Sequence, residues 1–176
     1  MMENFKFKKI TTDNWLNPDD AWSYFVKISS VNGGIGPISA EDWITGILEP
    51  KLKDYVPENI QELFEIARYS MTYGFFFYPL ITVAEEQLFR VVETAVTLKC
   101  KTIGAPKFVN KFHKRIDFLA HRNIIPEQEI ENWHAIRQLR NIASHPDFQN
   151  ISTPGEVIRI LHRTSEEINF LFEKTE

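Results

Sequence analysis

A single cysteine, Cys100, stands in a chain of 176 residues. One thiol excludes an intramolecular disulfide framework and a cysteine-rich zinc site. Its place in an apolar-patterned stretch reads as a buried structural thiol, not a nucleophile. Long apolar runs are missing too. No segment approaches the roughly eighteen apolar residues of a membrane span, and Phe75-Phe76-Phe77-Tyr78 is short enough to read as core or helix interface. Met1 to Lys6 lack the apolar region of a secretory signal, so a cytoplasmic location without membrane attachment is expected. Excess positive charge is also absent. A formal charge of −4 and a pI of 5.8 argue against coating nucleic acid by bulk charge, so any RNA contact must come from a local patch.

Several site chemistries lack their residues. His113, His121, His134 and His162 form no His-x-x-x-His pair, so a metal site would need convergence in space, and neither metal nor cofactor is expected. Asn32-Gly33-Gly34-Ile35-Gly36-Pro37 lacks the Gly-Lys-Ser/Thr ending of a phosphate loop and reads as a plain break. The Gly-x-Ser-x-Gly elbow and the kinase motifs are missing as well. With no run of strand-like alternation, no repeat and no low-complexity tail, the fold class is all-α.

What is present is helical periodicity, and 43% hydrophobic content suffices for a proper core. Residues 1–76 read as an N-terminal helical extension. Asn17 caps a helix with Pro18 at its first position, running through Ala21 to Val26; Ser39 to Asp42 start a second that ends at Pro50. Pro57-Glu58 opens a third, marked by Ile60, Leu63, Phe64, Ala67 and Met71.

Residues 77–176 predict four long helices near 80–103, 107–122, 127–145 and 154–173. In the first, Leu80, Val83, Ala84, Leu88, Val91, Ala95 and Leu98 form a stripe that stops at Gly104, and Glu86, Arg90 and Glu93 are spaced as an ionic rung. Pro106 opens the second, with Lys107, Lys111, Lys114 and Arg115 on much of its outer side. That basic stretch is a solvated face or a strip for RNA backbone. In the third, Ile130, Trp133, Ile136 and Leu139 turn inward. Val157, Leu161, Thr164, Ile168 and Leu171 make a seam on the fourth. Short links imply an antiparallel up-down four-helix bundle.

The chemistry concentrates in Arg137-Gln138-Leu139-Arg140-Asn141-Ile142-Ala143-Ser144-His145-Pro146. Arginine offers phosphoryl oxygens a planar fork of donors, and histidine moves protons near neutral pH. At about 100° per residue, Arg137, Arg140, Asn141, Ser144 and His145 fall within roughly 140° of arc, and Pro146 makes His145 a helix-end residue. A plainer account stands beside this one: a histidine at a helix C-terminus is favoured by the dipole, and an arginine a turn earlier often pairs with a carboxylate.

The pattern of Arg140, the polar Asn141, three further residues and His145 resembles the signature of HEPN domains, from about Phe77 to the C-terminus. Arg115 and His121 have a tolerated spacing too, but Ile116 stands where the polar residue belongs, and Asp147 replaces the tyrosine that some members carry two residues after the histidine. The resemblance implies a HEPN-like bundle and a metal-independent endoribonuclease, as in bacterial toxin and antiviral systems. Arg140, Asn141 and His145 would be catalytic, and Arg137, Ser144, Lys111 and Lys114 would bind substrate. It further implies RNA as substrate, a homodimer with both motifs at one cleft, and a cognate antitoxin or other partner protein. The alternative is a non-catalytic HEPN-like interaction module that binds a partner protein or RNA without cutting.

Overall fold

The structure, a computed structural model, describes residues 8–28, 34–144 and 152–173. Its helices are α1 (Ala40–Leu48), α2 (Glu58–Tyr73), α3 (Leu80–Thr102), α4 (Phe112–His121), α5 (Ile130–Ser144) and α6 (Pro154–Phe172). Short 3-10 turns cover Asp20–Tyr24 and Glu127–Glu129, and a small antiparallel hairpin pairs β1 (Val26–Ile28) with β2 (Ile35–Pro37). The described residues are all-α apart from that hairpin.

The N-terminal start signal is real but sits later than Asn17. Asp19 is the cap, and the residues after it form a 3-10 turn, not a helix to Val26. The reason is tertiary. The buried Asp19 carboxylate accepts from the Ala21 amide at 3.0 Å and from the Tyr78 amide at 2.9 Å, fixing this segment to the turn before α3. Trp22 then packs against Trp43, Phe75 and Tyr78, with ring centroids 4.9–5.2 Å apart. The Gly34–Pro37 stretch, expected as loop, contributes β2, with Ile28 opposite Ile35.

At the helix start the sequence suggested, Ser39 caps α1 through a capping box with Asp42. The α1 end is held by Arg68 of α2, whose buried guanidinium donates to the carbonyls of Leu48 (2.9 Å) and Pro50 (2.8 Å) and pairs with Glu65. Orphan carbonyls at a helix C-terminus thereby find a cation.

Helix α3 is the centre: α2, α4, α5 and α6 all pack on it. Its buried arc is therefore wider than one stripe. Ile81, Phe89, Val92 and Val96 are buried along with the expected Ala84, Leu88, Val91 and Ala95, whereas Val83 is exposed. The Glu85 carboxyl is buried too.

Helix α4 begins at Phe112, not after Pro106. Residues 106–111 instead form a turn, closed by the Val109 amide on the Pro106 carbonyl, that buries Val109. In α5, Trp133 and Ile136 are buried as expected but Leu139 is exposed. A Ser152 hydroxyl bond to Glu85 and the Lys99 ammonium over the Phe172 ring, 5.7 Å from its centroid, place the two ends of α6 beside the two ends of α3. These helices thus run the same way. Strict up-down alternation of four successive helices would set them opposed.

Candidate functional site

The end of α5 carries the arginine motif. Trp133 and Ile136 seat this helix on α3, and Arg140 follows Ile136 by one turn, which aims its side chain along the same face. There the Arg140 Nη2 donates to Glu93 Oε2 of α3 at 2.8 Å, in a pair that is about one-third exposed. Nη1 reaches Asn141 Oδ1 at 3.3 Å. A partly exposed ion pair of this kind contributes only about 0–1 kcal/mol to stability. Its larger effect is geometric, since carboxylate and amide oxygens fix the plane of the guanidinium.

The pair belongs to a polar seam across three helices. The Thr97 hydroxyl donates to the Glu93 carbonyl at 2.7 Å and accepts from Arg115 Nη1 at 2.8 Å. Arg115, the other arginine with a tolerated distance to a histidine, is thus spent on joining α4 to α3. Cys100 closes the same seam, its thiol 3.7 Å from the Arg115 carbonyl, and burial pushes its pKa up to about 11. A thiol so protonated is a packing residue.

Arg137 lies one turn before Arg140. It is half-buried, and its Nε is shielded from solvent with no hydrogen-bond partner among the described residues. Lys111 and Lys114 are exposed at the start of α4 and make no ion pair among the described residues. Helices α4 and α5 form a hairpin joined by residues 122–129 and pinned where His134 Nε2 meets Asp117 Oδ1 at 3.0 Å. Lys114 sits one turn before Asp117, on the part of α4 that runs beside the advancing α5. Arg140, Asn141 and Arg137 are therefore clustered on α5, with the lysines at the start of neighbouring α4. His145 and the side chain of Ser144 lie outside the described residues.

Glu93 is the site residue that sequence reading misplaced. The rung from Glu86 through Arg90 to Glu93 does not form among the described residues, because Glu93 turns to α5 instead. No local signal marks it, since its partner lies 47 residues away.

A second polar cluster anchors the chain just after the motif. The Ser152 hydroxyl donates to Glu85 Oε2 at 2.6 Å, and the Tyr78 hydroxyl donates to the Ser152 carbonyl at 2.8 Å. Burial raises the Glu85 pKa, with Glu156 and Glu86 adding to the rise and the Ser152 bond opposing it. Burial, helped by nearby Glu156, Asp19 and Glu85, likewise holds the Tyr78 phenol protonated far above its ordinary range. Among the described residues no three His, Cys, Asp or Glu side chains gather as a metal site, and no helix is long and apolar enough to cross a membrane.

No curated protein and no solved structure matches the chain. Residues 88–173 match a family profile described as Domain of unknown function (DUF4145). That match runs from the third turn of α3 to the end of α6, so it takes in Glu93, Arg140 and the pair between them.

Proposed function

We propose that this chain is a metal-independent endoribonuclease of the HEPN type, acting as a homodimer on RNA in the cytoplasm, as a toxin or antiviral component. The observation that carries the reading is Arg140 held by Glu93 and Asn141 at the end of α5, directly before the Ser144-His145-Pro146 stop. A guanidinium whose plane is set by a carboxylate is a fork of donors in a fixed orientation, the geometry that phosphoryl oxygens recognise.

In the reaction, the ribose 2′-oxygen bonds to phosphorus and the bond from phosphorus to the 5′-oxygen breaks. The 2′-proton passes to a base, and a proton is delivered to the leaving 5′-oxygen. The products are a 2′,3′-cyclic phosphate and a 5′-hydroxyl. His145 serves in proton transfer, Arg140 neutralises the charge that builds on the phosphoryl oxygens, and Asn141 keeps Arg140 in place. A dimer that faces two motifs across one cleft supplies a second histidine, so one acts as base and the other as acid. Arg137, Lys111 and Lys114 add charge for the RNA backbone, and Ser144 a hydroxyl.

One observation favours a second reading. Glu93 already neutralises Arg140, as expected of an ion pair whose task is to join α5 to α3. On that account the chain is a HEPN-like interaction module for a partner protein, such as an antitoxin, or for RNA. Incubation with mixed RNAs separates the two. Cleavage should persist in EDTA, spare DNA for want of a 2′-hydroxyl, and leave cyclic phosphate ends. Arg140→Ala and His145→Ala should each lower the rate by about 10²–10⁴ while circular dichroism stays unchanged. Intact RNA with the wild type, and variants that lose stability or partner binding, would establish the module.

A further inference from the structure

Two turns before Arg140, on the other part of α5, an open groove of about 650 Å³ lies between the start of that helix and α6. Both walls rest on α3. The α6 wall is a single helical face, Arg159, Arg163, Glu166 and Phe170, each a turn beyond the last, with Glu167 beside them. From 159 to 170 it measures about 16 Å at 1.5 Å per residue. The facing wall comes from the Glu127–Glu129 turn and the first turn of α5, with buried Trp133 as floor. Two helices lying on a common third leave a trough that a further helix fills by ridges into grooves.

Charge is sorted along this trough. Arg159 and His162 line one end and Glu129 and Glu166 the other, next to the exposed Phe170 ring, with the Arg163–Glu167 ion pair (3.3 Å) between them. The acids are crowded. Burial raises the Glu167 pKa, and neighbouring Glu129 and Glu166 raise it further against the pull of Arg163. A cation delivered there would relieve that repulsion. Three carboxylates in the lining oppose a nucleic-acid strand, whereas they suit the positive end of a helix dipole and basic side chains in a first turn.

We propose that the α5–α6 groove is the docking site for an amphipathic helix of a partner protein. The bound helix lies antiparallel to α6. Its N-terminal half, basic, sits on Glu129 and Glu166; its C-terminal half, acidic, sits on Arg159; its apolar stripe covers Phe170. This surface is separate from the arginine motif and stands whether or not the chain cuts RNA.

The test uses the full chain and two labelled helical peptides of about 14 residues with the same leucine stripe. One carries lysines in its first half and glutamates in its second; the other has the signs exchanged. Fluorescence anisotropy should show the first binding at least about tenfold tighter, in line with a few rim ion pairs. The double variant Glu129→Lys/Glu166→Lys, shown by circular dichroism to be folded, should reverse the preference. Equal binding of both peptides, or binding of neither to folded wild type, overturns the proposal. So does a wild-type dimer in sedimentation that Phe170→Asp converts to monomer, because a second copy would then cover the groove.

Discussion

Glu85 is a carboxyl only 7% exposed, and it accepts a hydrogen bond from the Ser152 hydroxyl. Because burial raises its pKa above the ordinary 4.5, the folded state holds this proton more tightly than the unfolded state. The stability from the neutral form is complete below about pH 4.5 and is lost as pH rises through the folded value. Glu85→Gln keeps an acceptor for Ser152 and removes the ionisation. Its melting temperature should therefore match the wild type near pH 4 and exceed it at pH 7–8. Glu156, held low by the Thr153 backbone and hydroxyl, shifts in the opposite sense; it is present in both proteins and enters the difference only through its repulsion of Glu85, which the variant relieves. A variant that melts lower at neutral pH would mean that the bond from Ser152 to the ionised carboxylate outweighs burial. At this scale the sequence is least legible. Arg140 and Asn141 are legible as a cluster because they are adjacent, but Glu93, Asp19 and Glu85 take their roles from residues 47 to 67 positions away. Helical spacing shows which way a side chain points, not what awaits it.

Helix ends are more legible, because their signals are local. Gly104 ends α3 with φ +71°, its amide bonded to the Lys101 carbonyl at 3.1 Å and the next amide, of Ala105, to the Cys100 carbonyl at 2.9 Å. This is a Schellman motif, and Asn123 (φ 54°) repeats it after α4 through Ala120 and Leu119. A β-carbon at Gly104 meets nothing within 4 Å, so Gly104→Ala isolates the cost of left-handed backbone, about 1–2 kcal/mol. The melting temperature should fall by roughly 2–8 °C. Asn123→Gly, at a position of the same conformation, should be neutral or stabilising. Equal effects in both would show that the left-handed residues do not hold these ends. The Thr153 capping box and Pro154 at the α6 start were equally readable. The α4 start was not, because Pro106 permits a helix and only the need to bury Val109 prevents one. The hairpin was missed for a different reason. Each strand is only three residues long, so the alternation in Val26-Lys27-Ile28 is too brief to announce it.

At the scale of the whole molecule, one core runs from Ala21 to Leu171 without a break at residues 76 and 77. Sequence alone invites a division there, because the regular long helices begin with α3 and the N-terminal segments have irregular joints. Packing crosses it. Ile60, Phe64, Ala67 and Met71 of α2 are fully buried, and α2 lies along α3. Trp22 and Trp43 reach the turn before α3, with indole nitrogens donating to the carbonyls of Gly74 (3.3 Å) and Met71 (2.9 Å). Burying one large apolar side chain contributes about 1.5–3 kcal/mol, so Ile60, Phe64 and Met71 alone supply about 5–9 kcal/mol, as much as the net stability of many domains. The α3 residues they cover would be exposed in a fragment of residues 77–176. That fragment should therefore show no cooperative thermal unfolding, bind hydrophobic dye and aggregate, although it contains the whole of the matched family region. Adding residues 1–76 as a separate chain should restore a cooperative melt if α1 and α2 dock in place. A fragment that melts cooperatively by itself, with dispersed amide resonances, would show instead that α4, α5 and α6 suffice to hold α3 and that residues 1–76 are an appendage.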